Sequence, residues 1–357
     1  MSVSCFDHPF LSGLLGDDET AAWFTAEADI AEMVRFEMAL AHAQAAEGVI
    51  TADAAHAIEA VCRDFTPDMD KLKADTARDG VVVPGFVRQV RERVDPEHAA
   101  SLHRGPTSQD LIDTSLVLRL RHVARLIDRR TEAVVAALDE ASRAFGQNVL
   151  VARTRMQRAL DIMVGDRIAA WRDPLIRTRR TLSEATTHLC YLQMGGPTGT
   201  LDPAMGRWPA VKERMGIALD LPVSARSWHS QRDQLVAFAD ALVRLSGGLG
   251  KIGQDVALMA QDEIAEVTLA AGGTSSAMPH KNNPIGAEIL VALARFNAVQ
   301  ISAMHHAMVH EQERSGAAWT LEWMVLPSIC VATASGLATA ERLISGISAI
   351  GRAPQVC

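Results

Sequence analysis

The sequence predicts an all-α protein built as a bundle of long helices, and two observations lead to this prediction. Proline is absent from residues 107–173, 223–278 and 285–326, and hydrophobic residues recur there with a helical period of about 3.6 residues. Strand signals are almost absent, since the chain has one tyrosine and few alternating runs. Helices of this length must support one another, because an isolated helix is only marginally stable in water.

The composition is that of a soluble globular protein, with 48% hydrophobic and 22% charged residues. The net charge of −8 argues against binding to nucleic acid or to an anionic membrane, although a local group of basic residues can still hold a small anion. The five cysteines are scattered and form no CxxC pair, which is typical of reduced thiols. No signal peptide or uncharged run of about 18 apolar residues is evident, so we expect a cytoplasmic protein without a membrane span.

An N-terminal helical domain is predicted over residues 1–104. Residues 1–20 contain proline and glycine and are expected to form an irregular arm. Helical spacing of apolar residues predicts helices over 20–47 and 51–65. The valine-rich segment 81–87 resembles a strand in composition, but its Pro-Gly pair argues against a regular strand, and a helix is expected after it.

A central helical domain is predicted over residues 105–350, followed by a tail over 351–357. Apolar stripes with helical spacing predict its long helices, and polar or glycine-rich segments separate them. The longest irregular connection is expected over 195–222, where glycine and proline are frequent. The expected helices cover approximately 116–145, 156–192, 235–267, 286–310 and 326–350.

Three polar, turn-rich segments lie at the ends of the predicted helices. The first polar segment, residues 103–110, precedes a long helix and includes Thr107, Ser108 and Gln109. Its hydroxyl groups could serve only as helix caps, with Asp110 favoured by the helix dipole. A helix N-terminus lined with hydroxyl groups is also a site for anions, so both interpretations stay open.

The second polar segment, residues 152–158, holds three arginines within six residues. Such a group is usually a solvated helix face. Here the arginines flank Thr154 and Gln157, which a helix would place on one face, three residues apart. Arginine binds carboxylates in bidentate geometry, so Arg153 and its neighbours are candidates for contact with a carboxylate substrate.

The third polar segment, residues 272–284, separates two long helices and concentrates glycine, serine, lysine and asparagine. A plain helix-to-helix turn is one interpretation, with Asn283 as the cap of the next helix. A catalytic loop is the other. Ser275 and Ser276 offer hydroxyl groups, and the positive charge of Lys281 would stabilise an alkoxide beside it.

Two other polar groups have competing interpretations. His305, His306 and His310 could be drawn as a metal site, but a further ligand with defined geometry is not evident, and we expect no metal. Arg232 could begin a helix as a surface residue or could contact a substrate, and the residues alone favour neither interpretation.

The third polar segment resembles the signature of the fumarase/aspartase superfamily, a Gly-Ser-Ser-x-Met-Pro-x-Lys-x-Asn-Pro run. Residues 275–284 match this run, with Thr274 in place of the glycine. Within the superfamily, the stretches 105–114, 228–233 and 250–255 look most like those of the 3-carboxy-cis,cis-muconate cycloisomerases. The resemblance extends over nearly the whole chain, but the small C-terminal helical domain of longer members is expected to be missing.

The resemblance implies a homotetramer in which three different subunits supply the three polar segments of each active site. It also implies a small tricarboxylate substrate and no metal, nucleotide or flavin cofactor. Ser275, six residues before Lys281, corresponds to the catalytic base of the family, and Ser276 lies beside it. Contacts with the substrate are expected from Thr107, Ser108, Gln109, Arg153, Thr154, Gln157, Arg232, Met278, Lys281 and Asn283.

The second polar segment departs from the pattern of the family. Many relatives carry a histidine there that is proposed as an acid, whereas this chain has Arg155 and Arg158. Arginine stays protonated and cannot transfer a proton at neutral pH. This favours a cycloisomerase, whose carboxylate leaving group needs little protonation, over an adenylosuccinate lyase. The intact Ser275 and Lys281 argue against an inactive helical scaffold, and His103 is the nearest alternative acid.

Overall fold

The structure is a computed structural model and describes residues 3–201, 207–270, 272–273, 277–278 and 281–354. Long helices dominate these residues, which confirms the predicted all-α class. The helices are α1 (Ser12–Leu15), α2 (Asp18–Ala21), α3 (Ala26–Ala46), α4 (Ala52–Arg63), α5 (Met69–Asp79), α6 (Val83–Arg91), α7 (Ser108–Phe145), α8 (Val164–Leu189), α9 (Trp208–Leu219), α10 (Asp233–Met259), α11 (Ile285–Ala307) and α12 (Ala317–Ser345). The strands are β1 (Val149–Thr154), β2 (Gln157–Met163), β3 (Val267–Leu269) and β4 (Ile347–Ile350), and they form two antiparallel pairs.

The bundle consists of α7, α8, α10, α11 and α12. Helix α10 packs against α8, α11 and α12, while α7 packs against α8 and α12. The apolar stripe of α10 is fully buried, as Phe238, Leu242 and Ile252 illustrate. Burial of such stripes supplies most of the stability of long helices.

The N-terminal helices pack on the bundle through α3, which contacts both α7 and α9. One continuous hydrophobic core joins the two parts of the chain and includes both Phe36 and Leu111. We therefore propose that the boundary near residue 104 separates two regions of the chain that share one core. Residues 105–350 then form the bundle region, and residues 351–357 form its tail. Within that tail, Gly351 and Arg352 donate backbone hydrogen bonds to Glu266 and Val149.

Helix α7 begins within the first polar segment, at Ser108. Thr107 is its N-cap, and Asp110 completes a capping box by accepting from the backbone N–H of Thr107. The predicted helix over 116–145 therefore starts eight residues early, at Ser108. With 38 residues, α7 is about 57 Å long at 1.5 Å per residue.

The predicted helix over 156–192 is wrong in its first part, because β1 and β2 form a hairpin there and α8 begins only at Val164. A two-residue turn joins the strands, and Arg155 and Met156 both have positive φ, at 50° and 67°. Such turns usually carry glycine or asparagine at these positions, so this turn has no signal that is recognisable from sequence. Thr154 and Gln157 are thus cross-strand partners rather than neighbours on a helix face.

The boundaries of several other elements also differ from the prediction. Helix α12 begins at Ala317 and contains Pro327, because burial of its apolar residues tolerates one missing backbone hydrogen bond. The chain after it forms β4, which pairs with β3, so the predicted helix does not reach residue 350. The short helices α1 and α2 occupy the second part of the expected irregular arm, whereas residues 3–11 are irregular as predicted. The N-cap of α11 is Pro284 rather than Asn283.

Candidate active site

The first and second polar segments lie at opposite ends of α7. The first surrounds the N-terminus of α7 at Ser108, whereas the second belongs to the hairpin that follows Phe145. The length of α7 therefore separates them by roughly 57 Å. A single chain cannot bring these two segments to one small substrate.

The third polar segment lies at the same end of the bundle as the second. It follows β3, and Glu266 at the start of that strand forms an ion pair with Arg153, with Nη1 and Oε2 2.7 Å apart. The neighbouring strand β4 leads into Arg352, which exchanges backbone hydrogen bonds with Val149 of β1. The bases of the hairpin and of the third segment are thus joined within one chain.

In the first polar segment, Thr107 and Ser108 are half-buried, and Gln109 is fully buried. The amide of Gln109 donates to the carbonyl oxygen of His229 at 2.9 Å and to the carboxylate of Asp113. The predicted contact between Gln109 and the substrate does not agree with the structure, because the side chain is buried and its amide donates to neighbouring protein groups. Thr107 and Ser108 stay as the candidates for contact with a ligand.

Asp110 connects the first polar segment to two other parts of the chain. Its carboxylate accepts from the backbone N–H groups of Gly195 and Gly196 and from Nε2 of His229, at distances of 2.7, 2.8 and 2.8 Å. With Thr107, four donors converge on one buried carboxylate. This arrangement fixes the start of α7 against residues 195–199, the glycine-rich loop, and against His229.

Gly105 illustrates how closely this region is packed. Its φ is +99°, and a Cβ atom there would lie 2.2 Å from the ring of Trp208. Only glycine combines this backbone conformation with such a close approach.

Arg232 is buried in ion pairs with two carboxylates. Nη1 lies 2.7 Å from Asp113, Nε lies 2.8 Å from Glu322, and Nη2 contacts both. Burial lowers the pKa of Arg232, but the two carboxylates together raise it by more. The net pKa lies above its ordinary value, so the guanidinium stays charged. Both interpretations from the sequence need correction, because Arg232 is neither a surface residue nor open to a substrate. It joins the starts of α7 and α10 to α12.

His103, the predicted alternative acid, faces the buried carboxylate of Glu37. The ring is 13% exposed, and its Nδ1 forms a short hydrogen bond with Glu37. Burial lowers the pKa of His103, but the charge and hydrogen bond of Glu37 together with the charge of Asp110 outweigh it, so the net pKa lies above its ordinary value. The φ of His103 is 54°, and strained conformations of non-glycine residues occur often at functional sites.

The tip of the second polar segment is exposed. Thr154, Arg155, Met156, Gln157 and Arg158 all project from the body of the chain, and Met156 is 75% exposed. Two adjacent residues with positive φ hold this tip in its turn. An exposed, conformationally strained hairpin is better suited to reach another subunit than to line a pocket in its own chain.

In the third polar segment, Gly273 and Asn283 exchange backbone hydrogen bonds and close the loop. The amide of Asn283 also donates to the carbonyl oxygen of Gly273. Lys281 is exposed, and Met278 is 43% exposed. Ser275 and Ser276 lie outside the described residues.

Sequence reasoning missed Glu37, His229 and the glycine-rich loop as parts of this region. His229 belongs to the stretch 228–233 that resembles the superfamily, but its partner Asp110 is 119 residues away. No local pattern connects residues at that separation. The buried His229–Asp110 pair becomes visible only in the folded chain.

The His103–Glu37 pair predicts how stability depends on pH. A raised pKa in the folded state stabilises the protein below the unfolded pKa, and this contribution is lost as pH rises through the folded pKa. The difference in Tm between the wild type and His103→Gln should therefore be larger at about pH 6 than at about pH 8.5. The exposed His188 provides the control, since His188→Gln should change Tm little at either pH. Equal Tm differences for His103→Gln at both values would contradict the charge pairing.

Comparisons with known proteins agree with this architecture. Residues 17–299 match the lyase family. The chain is 37% identical over 325 residues to 3-carboxy-cis,cis-muconate cycloisomerase of Pseudomonas aeruginosa, covering 88% of this chain and 70% of that protein. It is 33% identical to nitrosuccinate lyase of Streptomyces davaonensis, covering 92% of this chain and 71% of that protein. The crystal structure of 3-carboxy-cis,cis-muconate lactonizing enzyme from Pseudomonas putida superposes with a TM-score of 0.89 at 32% identity, covering 95% of this chain and 77% of that one. The chain therefore belongs to the lyase family of the fumarase/aspartase superfamily.

Proposed function

We propose that this enzyme interconverts 3-carboxy-cis,cis-muconate and 4-carboxymuconolactone in the protocatechuate branch of the β-ketoadipate pathway. The observation that carries the proposal is the 37% identity, over 88% of the chain, to a cycloisomerase of that name. The match of residues 275–284 to the superfamily signature supports it, since the reacting groups of the family lie in that run.

The reaction needs one proton transfer and one site for negative charge. In the lactonising direction, a carboxylate oxygen of the substrate forms a bond to a carbon of the double bond. The electron pair moves to the neighbouring carbon and its carboxylate as an aci-carboxylate, and the hydroxyl of Ser275 then gives its proton to that carbon. In the reverse direction, the Ser275 alkoxide takes the proton and the C–O bond breaks.

The charge that develops on the aci-carboxylate requires fixed donors. We assign Thr107, Ser108, Lys281 and Asn283 to this carboxylate, because donors that bind the intermediate more tightly than the substrate accelerate the reaction. Thr154, Gln157 and Met278 line the same site in this proposal. The charge of Lys281 also stabilises the Ser275 alkoxide.

We further propose that each site is shared by three subunits of a homotetramer. Support comes from α7, whose length of about 57 Å keeps the first polar segment at the opposite end of the bundle from the other two in the same chain. The exposed tip of the hairpin then reaches the first polar segment of another subunit. His103, the first residue of that segment, stays the candidate for an additional acid.

Helix α11 offers a surface for such an assembly. Both α11 and α12 are long and apolar enough to span a membrane by length and composition alone. In α12, 72% of the most apolar window is buried, as expected of a core helix, whereas the value for α11 is 22%. Val299 on α11 is 69% exposed. Packing of α11 against other copies would cover this apolar surface.

The remaining properties follow from the same proposal. The substrate is a small tricarboxylate, the enzyme is cytoplasmic, and its residues perform the chemistry without a metal or an organic cofactor. The four cysteines in the described part of the chain are free thiols, as is usual in a reducing compartment. Within that same part, no group of three or more His, Cys, Asp and Glu side chains could hold a metal ion.

An assay with 3-carboxy-cis,cis-muconate tests the function directly. Lactonisation removes the conjugated diene, so its ultraviolet absorbance should fall when the purified enzyme is added. Cleavage of adenylosuccinate with no loss of diene would favour another lyase of the superfamily instead. Failure of both substrates would support an inactive scaffold.

Replacement of the proposed base provides a second prediction. Ser275→Ala removes the hydroxyl that transfers the proton, and kcat should fall by a factor of about 10² or more, since general acid–base groups contribute on that scale. Ser276→Ala is the matched control and should keep much more activity. Near-normal turnover by Ser275→Ala would assign the base to another residue.

A further inference from the structure

A cavity of about 350 Å³ lies beside the first polar segment. The glycine-rich loop, α9 and the segment before α10 enclose it, and Glu313 contributes from the segment before α12. Its size falls within the range of ligand sites for small molecules. His229 lies in its wall and is 3% exposed.

The hydrogen bonds of Asp110 determine which nitrogen of His229 carries a proton. The carboxylate already accepts backbone N–H groups from Thr107, Gly195 and Gly196, so it acts as an ionised acceptor. Nε2 of His229, 2.8 Å away, must therefore donate to it. The second nitrogen, Nδ1, is buried and has no hydrogen-bond partner among the residues that the structure describes. A buried polar atom of this kind calls for a partner, because leaving it unpaired costs free energy.

The glycine-rich loop passes close to that nitrogen without placing a side chain against it. Gly199 has a φ of +80°, and a Cβ atom built on it would lie in van der Waals contact with Nδ1 of His229, at 3.7 Å. The positive φ disfavours all residues with a Cβ at this position. Glycine thus keeps this side of His229 free of a further side chain.

The charged side chains around the cavity favour an anion. Lys212 and Arg226 line it, opposed by one carboxylate, Glu313. The ammonium group of Lys212 donates to the carbonyl oxygen of Ser224 at 2.9 Å, which leaves further N–H groups available. Burial lowers the pKa of Lys212, and the nearby charge of Asp110 opposes that change. A bound carboxylate would compensate the burial of Lys212, and the exposed Arg226 adds a second positive charge at the edge of the cavity.

We propose that this cavity is a carboxylate subsite of the active site and that Nδ1 of His229 donates a hydrogen bond to one carboxylate of the substrate. This inference rests on the proposed function, and it concerns a carboxylate other than the one at the reacting carbon. When the ligand binds, Nδ1 takes a proton from solvent, and His229 becomes an imidazolium between Asp110 and the substrate. Lys212 and Arg226 favour the bound anion, and Glu313 opposes it.

His229→Gln is the variant that tests the subsite. The Gln amide nitrogen can replace Nε2 and keep the contact with Asp110, whereas nothing replaces Nδ1. Because a hydrogen bond to a charged group is lost, KM for 3-carboxy-cis,cis-muconate should rise about tenfold or more while kcat changes much less. His188→Gln, on an exposed histidine, is the control and should leave both constants unchanged. An unchanged KM in His229→Gln would overturn the proposal.

Calorimetry tests the proton uptake without turnover. Tricarballylate, an unreactive tricarboxylate, is titrated into the protein in two buffers of different ionisation enthalpy near pH 7. The wild type should take up a measurable fraction of a proton for each ligand bound, and His229→Gln should take up none. Equal uptake by both proteins, or none by the wild type, would contradict the role of Nδ1. Lack of turnover with normal proton uptake would instead refute the proposed reaction and leave the subsite intact.

Discussion

The length of one helix constrains everything else in this protein. Helix α7 holds the first polar segment at one end of the bundle and the hairpin at the other, about 57 Å apart. The third polar segment lies at the same end as the hairpin, because an ion pair between Arg153 and Glu266 connects the two. In the proposed shared site, residues that act on one small substrate come from different copies of the chain, and assembly is then a condition of catalysis.

Buried charges define the end of the bundle where the first polar segment lies. Arg232 binds Asp113 and Glu322 and so holds α7, α10 and α12 together, while Asp110 binds the glycine-rich loop and His229. Loss of one partner would leave an uncompensated charge in the interior, which costs far more than a surface ion pair. This rigidity matters for function, since catalytic groups must hold their geometry within fractions of an ångström.

The sequence predicted the features that depend on neighbouring residues. The apolar stripes predicted the long helices, and the capping interpretation of Thr107 and Asp110 agrees with the observed start of α7, although the predicted helix over 116–145 began eight residues too late. The hairpin was missed because Arg155 and Met156 form its turn without glycine or asparagine. The roles of Arg232 and His229 could not be predicted, since their carboxylate partners lie 90 to 119 residues away in the chain.

Complementation between two defective chains tests the shared site most directly. Ser108→Ala and Lys281→Met affect opposite ends of the bundle and should each be nearly inactive alone. If every site combines these segments from different subunits, mixed tetramers contain some sites with neither defect. Co-expression should then restore roughly a quarter of wild-type kcat. Half of the subunits supply an intact first segment and the other half an intact third segment, so random assembly gives both to about one site in four. Mixed tetramers that stay as inactive as either variant would contradict the account.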